Sequence, residues 1–243
     1  MAFELTYKPY GERSILIEWP AVIDKAILND IIRFQNAIEK NNIKEIVEIK
    51  IAYSSLLIIY DSICRNFENE IKKLKKCYSS EGFKHDIVSN RWKIPVCYDA
   101  IFGMDLETIS IAKNMPKEAI IMCHFQAVYT VCFIGFLPGF LYLGGLDKSL
   151  HFPRKETPRL SVEKGAVAIG ENQTGIYPNE SPGGWQIIGN SPIHFFNAEK
   201  EIPCFAKAGD QIQFYPVSLS EYKNIKMLVE AGVYQIESEA IDD

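Results

Sequence analysis

The feature that most constrains this chain is an abrupt change of texture near residue 81. Beyond that point lie 14 of its 15 glycines and 10 of its 12 prolines, punctuating many short apolar runs. Glycine reaches positive φ, and proline fixes φ while removing a donor. A chain that uses both every few residues is built from short strands and tight turns. Before residue 81 these punctuators are sparse, and apolar residues recur at helix and strand spacings. The 243 residues are enough for two modest domains. The expected organisation is an α+β domain over residues 1–84, in the order ββαββα, followed by an all-β barrel over 85–243 that carries a C-terminal helix. The polar stretch from Ser79 to Lys84 is the expected linker.

The first part supports that order in detail. Residues 4–8 and 13–19 read as two strands joined by a turn at Pro9-Tyr10-Gly11. Asp24 is placed to cap a helix whose apolar positions Ile27, Ile31, Phe34 and Ile38 step by four, three and four. Residues 44–51 alternate in strand fashion, Leu56–Tyr60 is a short buried-strand run, and Ile63, Phe67, Ile71, Leu74 and Tyr78 form a second helical stripe. In the second part, short helices are expected at Asp105–Lys113 and Pro116–Cys123, the latter opening on proline. A last helix starts at the capping box Ser218-x-x-Glu221 and carries Ile225, Leu228 and Val229.

Composition removes several function classes. A net charge of −5 argues against nucleic acid or an anionic membrane as partner, since both need a basic face. The one dense basic run, Lys72, Lys73, Lys75 and Lys76, falls on the second helix and reads as a solvated face. No apolar stretch approaches the ~20 residues of a membrane span, and Met1-Ala2-Phe3-Glu4 does not open a secretory signal. The six cysteines are scattered, without a C-x-x-C pair or histidine at zinc spacing. The expectation is a cytoplasmic chain with reduced thiols and no metal site.

Two phosphate or nucleophile motifs fail on chemistry. Gly165-Ala-Val-Ala-Ile-Gly170 has the glycine spacing of a phosphate loop, but Glu171 and Asn172 stand where Lys and Ser or Thr are needed. No G-x-S-x-G elbow is present. The informative segment is 134–192, dense in glycine, proline and polar residues. Arg154 and Arg159 bracket a rigid Glu-Thr-Pro, an arrangement that fits either a bidentate clamp for a carboxylate or phosphate or surface pairing with Glu156 and Glu163. Gln173 and Thr174 offer an amide and a hydroxyl beside Gly175. Tyr177 and Trp185 offer flat walls with polar tips, as pocket lining or as core. His124, at the end of the second short helix, is either structural or a proton-transfer group facing the pocket. The candidate site is therefore His124 as the catalytic group, with Arg154, Arg159, Gln173, Thr174, Tyr177 and Trp185 as substrate ligands.

Read together, Ile134-Gly-Phe-x-Pro-Gly-Phe-x-Tyr-Leu-Gly-Gly-Leu-Asp147, Pro153-Arg154, Thr157-Pro-Arg159, Gly165-x-Val-Ala-Ile-Gly170, Asn172-Gln-Thr-Gly-Ile-Tyr-Pro178, Ser181-Pro-Gly-Gly-Trp185 and Gly189-x-Ser-Pro192 resemble one family. It is the family of the 5-oxoprolinase B subunit, also known as the KipI family and as allophanate hydrolase subunit 1. Tyr53-x-Ser-Leu-Leu57 extends the resemblance to the first domain. The resemblance implies a cyclophilin-like barrel over about 85–217. It implies two partners, the A-type and C-type subunits of the same 5-oxoprolinase system, with the C-type one as the direct partner. It implies an ATP-dependent opening of 5-oxoproline to L-glutamate by the assembled complex, with ATP at a partner or shared site. An alternative within the same resemblance is a KipI-like inhibitor that docks on a sensor histidine kinase. A third is an accessory to a biotin-dependent carboxyltransferase, suggested by related domains in urea carboxylases. Three departures bear on one pocket wall: Asp99-Ala100 after Cys97-Tyr98, Phe125 where a small hydroxyl residue is usual, and Glu171 where Gly is usual.

Overall fold

The computed structural model describes residues 3–41, 43, 45–64, 66–79 and 88–242. The chain divides into two compact units, the first running to Val88 and the second spanning Ser89–Ile241. Most of the expected linker, from residue 80 onward, lies outside the described residues.

In the first unit the elements are β1 (Thr6–Pro9), β2 (Ser14–Glu18), α1 (Lys25–Lys40), β3 (Ile46–Ile51), β4 (Ser55–Tyr60) and α2 (Phe67–Tyr78). The four strands pair antiparallel in the order β1-β2-β4-β3. Asp24 caps α1 through its side chain, accepting from the amides of Ala26 and Ile27 at 2.7 and 3.3 Å. The four stripe residues Ile27, Ile31, Phe34 and Ile38 are all buried against Ile15 and Ile17 of β2 and Leu56 and Ile58 of β4. A carboxylate is enclosed with them: Asp30 accepts from Trp19 Nε1 and Tyr78 Oη, both at 2.7 Å, so β2, α1 and α2 meet on one acid. The second stripe is shorter than expected. Asn66 caps α2, and Ile63 lies ahead of the helix, largely exposed.

The second unit opens with β5 (Val88–Val96), α3 (Leu106–Lys113), α4 (Lys117–Gln126), β6 (Val128–Ile134) and β7 (Leu141–Gly144). It continues through β8 (Arg159–Val162), β9 (Ala166–Gly170), β10 (Gln173–Ile176), β11 (Ser181–Gly183), β12 (Gln186–Asn190), β13 (Gln211–Pro216), α5 (Leu219–Glu230) and β14 (Ser238–Asp242). Eight strands form one sheet in the order β12-β9-β10-β7-β6-β13-β5-β14, while β8 and β11 make a separate ribbon. β13 and β5 run parallel, and the pairs among β12, β9, β10, β7, β6 and β13 run antiparallel. Pro116 is the residue before α4 and not its first position. The capping box of α5 is complete, with Ser218 and Glu221 each bonded to the other's backbone. Its inward residues are Tyr222, Ile225 and Val229, whereas Leu228 is exposed.

The expected closed barrel is not found among the described residues; the unit is a mixed α/β fold with several sheets. The reason is local. On the outer edge of β5, Lys93 donates its amide to Glu237 O at 3.0 Å beside β14, and Cys97 exchanges two 2.9 Å bonds with Asn190 at the end of β12. Pro95 lies between them on that same edge and has no N–H to give. Beyond the end of β5 the chain therefore meets β12 at one residue pair, not along a ladder.

β9 shows how the sheet is buried on both faces. Val167 and Ile169 point into the main core with Ile94, Tyr129, Leu141, Ile188 and Phe214. Ala166 and Ala168 point the other way into a second cluster that includes Phe140, Val162, Tyr177, Trp185 and Ile187. Large residues alternate with small ones because the second face must admit wide aromatic rings close to the backbone.

Candidate functional site

The site is built on that second face. Trp185 lies flat against the sheet because Gly170 and Gly175 leave room for it. A Cβ on Gly170 would sit 2.5 Å from the indole and one on Gly175 3.0 Å. The motif glycines thus serve as a seat for a ring. Phe140 meets Trp185 and Tyr177 edge-on at 5.6 and 5.2 Å, and Tyr142 stands 6.0 Å from Trp185 while stacking on Phe133 at 4.3 Å. The result is an aromatic wall from four stretches of sequence, brought together by adjacent strands.

The segment 153–159 runs over this wall. Gln186 Nε2 donates to Pro153 O at 3.0 Å, and the Lys155 amide donates to Gly184 O at 2.7 Å. Arg154, between them, places its guanidinium over the Trp185 ring at 5.4 Å from the centroid. Arg159 turns elsewhere. Its Nη2 is 2.6 Å from Asp105 Oδ1 and its Nη1 donates to Trp185 O at 3.4 Å. Asp105 is buried and takes two more donors: Lys155 Nζ at 3.2 Å, and the Ile187 amide to Oδ2 at 2.6 Å. It stands at the N-cap of α3 yet makes no side-chain capping bond, because both oxygens are engaged by this cluster.

Burial pushes the Tyr177 phenol up, and the Trp185 amide with the guanidiniums of Arg154 and Arg159 partly offsets that push. Burial likewise raises Tyr142, with Arg154 opposing.

The candidates from sequence fall on two sides of the sheet. Arg154, Arg159, Tyr177 and Trp185 gather on the second face, and Gln173 shares the Gly175 side of β10 with them. Thr174 and His124 do not join them. Both are fully buried in the main core. His124 Nε2 is 2.9 Å from Thr174 Oγ1, its Nδ1 is 2.8 Å from Tyr98 Oη, and its ring stacks on Phe214 at 4.8 Å. The Thr174 hydroxyl donates to Ala168 O at 2.9 Å, so it must accept from His124. The tautomer is thereby fixed, with the proton on Nε2 and Nδ1 accepting from Tyr98. Burial lowers the pKa of His124 to about 3, which keeps the ring neutral. No atom of this ring is exposed.

Sequence reading missed Asp105, Lys155, Tyr142 and Gln186. Asp105 lies more than 50 residues from Arg159, and only its place before an apolar run marked it, as a helix start. The Gly165–Gly170 segment is strand β9, buried throughout, and not a loop leading into a helix. No group of three or more His, Cys, Asp or Glu able to hold a metal occurs among the described residues, and no helix there is long and apolar enough to cross a membrane.

A sheet buried on both faces, a cation-capped aromatic wall and the motifs that build them define a known class. Residues 5–206 match the family described as carboxyltransferase domain, subdomains C and D, and the chain belongs to it. Among individual proteins it is similar to the 5-oxoprolinase B subunit of Bacillus subtilis, with 32% identity over 89% of this chain and 94% of that protein. The 5-oxoprolinase B subunit of Haemophilus influenzae is 38% identical over 70% of this chain and 79% of its own length. The urea amidolyase of K. lactis shares the fold, with a TM-score of 0.81 at 22% identity; the match covers 99% of this chain but 16% of that much longer one.

Proposed function

We propose that the chain is a B-type subunit of a 5-oxoprolinase, a hydrolase that opens 5-oxoproline to L-glutamate. The observation that carries this reading is the 32% identity sustained over 94% of the Bacillus subtilis relative. Its finer parts are that the complex consumes ATP, that A-type and C-type subunits complete it with the C-type one as direct partner, and that the assembly is cytoplasmic. The second unit is read as a cyclophilin-like barrel variant whose closure is reduced to the Cys97–Asn190 pair.

The chemistry explains why ATP belongs to the reaction. A five-membered lactam is a resonance-stabilised amide, and water attacks it slowly. Transfer of the ATP γ-phosphoryl group to the lactam oxygen releases ADP and turns that oxygen into a leaving group. Water then adds at the same carbon, the C–N bond breaks to free the amine and leave a γ-glutamyl phosphate, and a second water displaces phosphate to give glutamate. The stretch with phosphate-loop glycine spacing ends in the buried strand β9, so ATP is assigned to a partner or shared site. Its own share is to bind and orient: Arg154, Gln173, Tyr177 and Trp185 face the ligand, and the neutral His124 with Thr174 braces the opposite side of β10 as a positioning pair.

Co-expression with a C-type homologue, followed by addition of the A-type component and an assay for ATP-dependent glutamate release, tests the reading. Co-purification and release of glutamate from 5-oxoproline are expected. A stable complex that releases none from 5-oxoproline overturns the substrate. The isolated chain is expected to show no micromolar ATP binding by calorimetry.

A further inference from the structure

We infer that Arg154, not Arg159, is the guanidinium that receives the carboxylate of a small flat-ring ligand, and that Arg159 is committed to the protein's own Asp105. The inference rests on the 5-oxoproline reading for the ligand's identity, but its geometry stands independently.

Consider first what Arg159 would have to give up. Its partner Asp105 is buried, with three donors converging on its two oxygens. A ligand carboxylate could take Arg159 only by displacing this acid, leaving a buried charge short of its strongest partner. Such exchange is unfavourable wherever a free cation lies nearby. Arg154 is that cation: exposed, and without an ion pair among the described residues.

Arg154 is also the better prepared of the two. The residue before it is bonded to Gln186 and the residue after it to Gly184, so both flanks are fastened to the neighbours of Trp185. Its backbone is thus fixed beside the ring it covers. Stacking uses the face of the guanidinium and leaves the N–H groups on its edge, the fork that matches a carboxylate. Little side-chain freedom remains to be lost on binding. The local charge agrees. Lys155 and Arg159 share one buried acid, Asp105, while Arg154 keeps its charge unpaired among the described residues, in a chain of net charge −5. The adjoining apolar surface is the partly exposed ring of Tyr142, backed by the buried rings of Phe140 and Trp185, and it suits a planar ring. The ligand class that fits is a monoanionic ring carboxylate.

Calorimetry tests this on the full chain, alone and in complex with its C-type partner, with three probes: 5-oxoproline, its uncharged carboxamide, and benzoate. The wild type is expected to prefer 5-oxoproline over the carboxamide by at least about tenfold. Arg154→Gln should erase that preference by weakening 5-oxoproline far more than the carboxamide, and should lower the melting temperature less than Arg159→Lys does. Arg159→Lys should lower the melting temperature and keep the preference. If benzoate binds through Arg154 while 5-oxoproline does not, the site stands and the substrate reading falls. If 5-oxoproline binds and Arg154→Gln keeps the preference, the substrate reading stands and this assignment is overturned. Binding of no carboxylate in either form of the protein overturns it as well.

Discussion

His124 carries a pH dependence that can be worked out from its surroundings. The folded chain holds the ring neutral, with its pKa lowered by burial from 6.5 to about 3. The unfolded chain takes up a proton below about pH 6.5 and the folded chain only near 3. Stability is therefore complete above 6.5 and falls as pH drops, by about 1.4 kcal/mol per unit until the folded pKa is reached. Urea midpoints measured from pH 7 to 4 should show this slope in the wild type, and His124→Gln should lose it. Glu171 makes a second residue-scale case. It holds φ +57 in the β9–β10 turn, a left-handed conformation that costs a side chain free energy, and the family pattern has glycine there. Glu171→Gly is expected to raise unfolding stability by roughly 0.5–1 kcal/mol in a denaturant titration; a loss would show that the side chain has an unrecognised role. Individual residues were the least legible part of the sequence. That Trp185, Tyr177 and Arg154 lie close together could be read from their spacing among glycines and prolines. That Arg159 is spoken for could not, because its partner Asp105 is distant in sequence and looked like a helix cap. Nor did spacing show that His124 and Thr174 face the interior: strand parity decides it for Thr174 and the start of β10 was not known, while His124 sits in the last turn of a short helix with no clear apolar stripe.

At the scale of elements, period and punctuation were reliable guides. The stripe of α1 and the cap at Asp24 followed from a four-three-four step and one acid, and the capping box of α5 from two residues. The stripe of α2 was overextended because Ile63 falls in phase with it, although Asn66 starts the helix. The β9–β10 pair is the element on which the candidate site depends, since Trp185 rests on it. Gly170→Ala would push a methyl group to 2.5 Å from the indole. Overpacking of this kind should cost about 1–3 kcal/mol. A fall in thermal stability, with a shifted Trp185 emission in a Trp19→Phe, Trp92→Phe background, is the expected result. Unchanged emission would mean the ring is not seated there.

For the whole molecule, the change in glycine and proline content near residue 81 falls close to the end of the first compact unit at Val88, while the open sheet was not foreseeable. Closure depends on which edge of β5 each backbone group faces, and Pro95 has no N–H to offer there. We propose that the first unit and the second separate in the stretch 79–90. Limited proteolysis should cut there first and leave a stable C-terminal fragment; a first cut within 134–192 would refute that boundary.

The single pair joining Cys97 to Asn190 has a consequence for how the second unit breathes. Two amides join the end of β5 to β12, strands that most of the unit's sequence separates, and such a contact closes only after the intervening strands have ordered. Hydrogen exchange should therefore find these amides less protected than those of β9 and β10, opening in a partial event that leaves the central strands paired. A seam of one residue pair is a clasp on an open sheet, and the clasp is the place where solvent first enters.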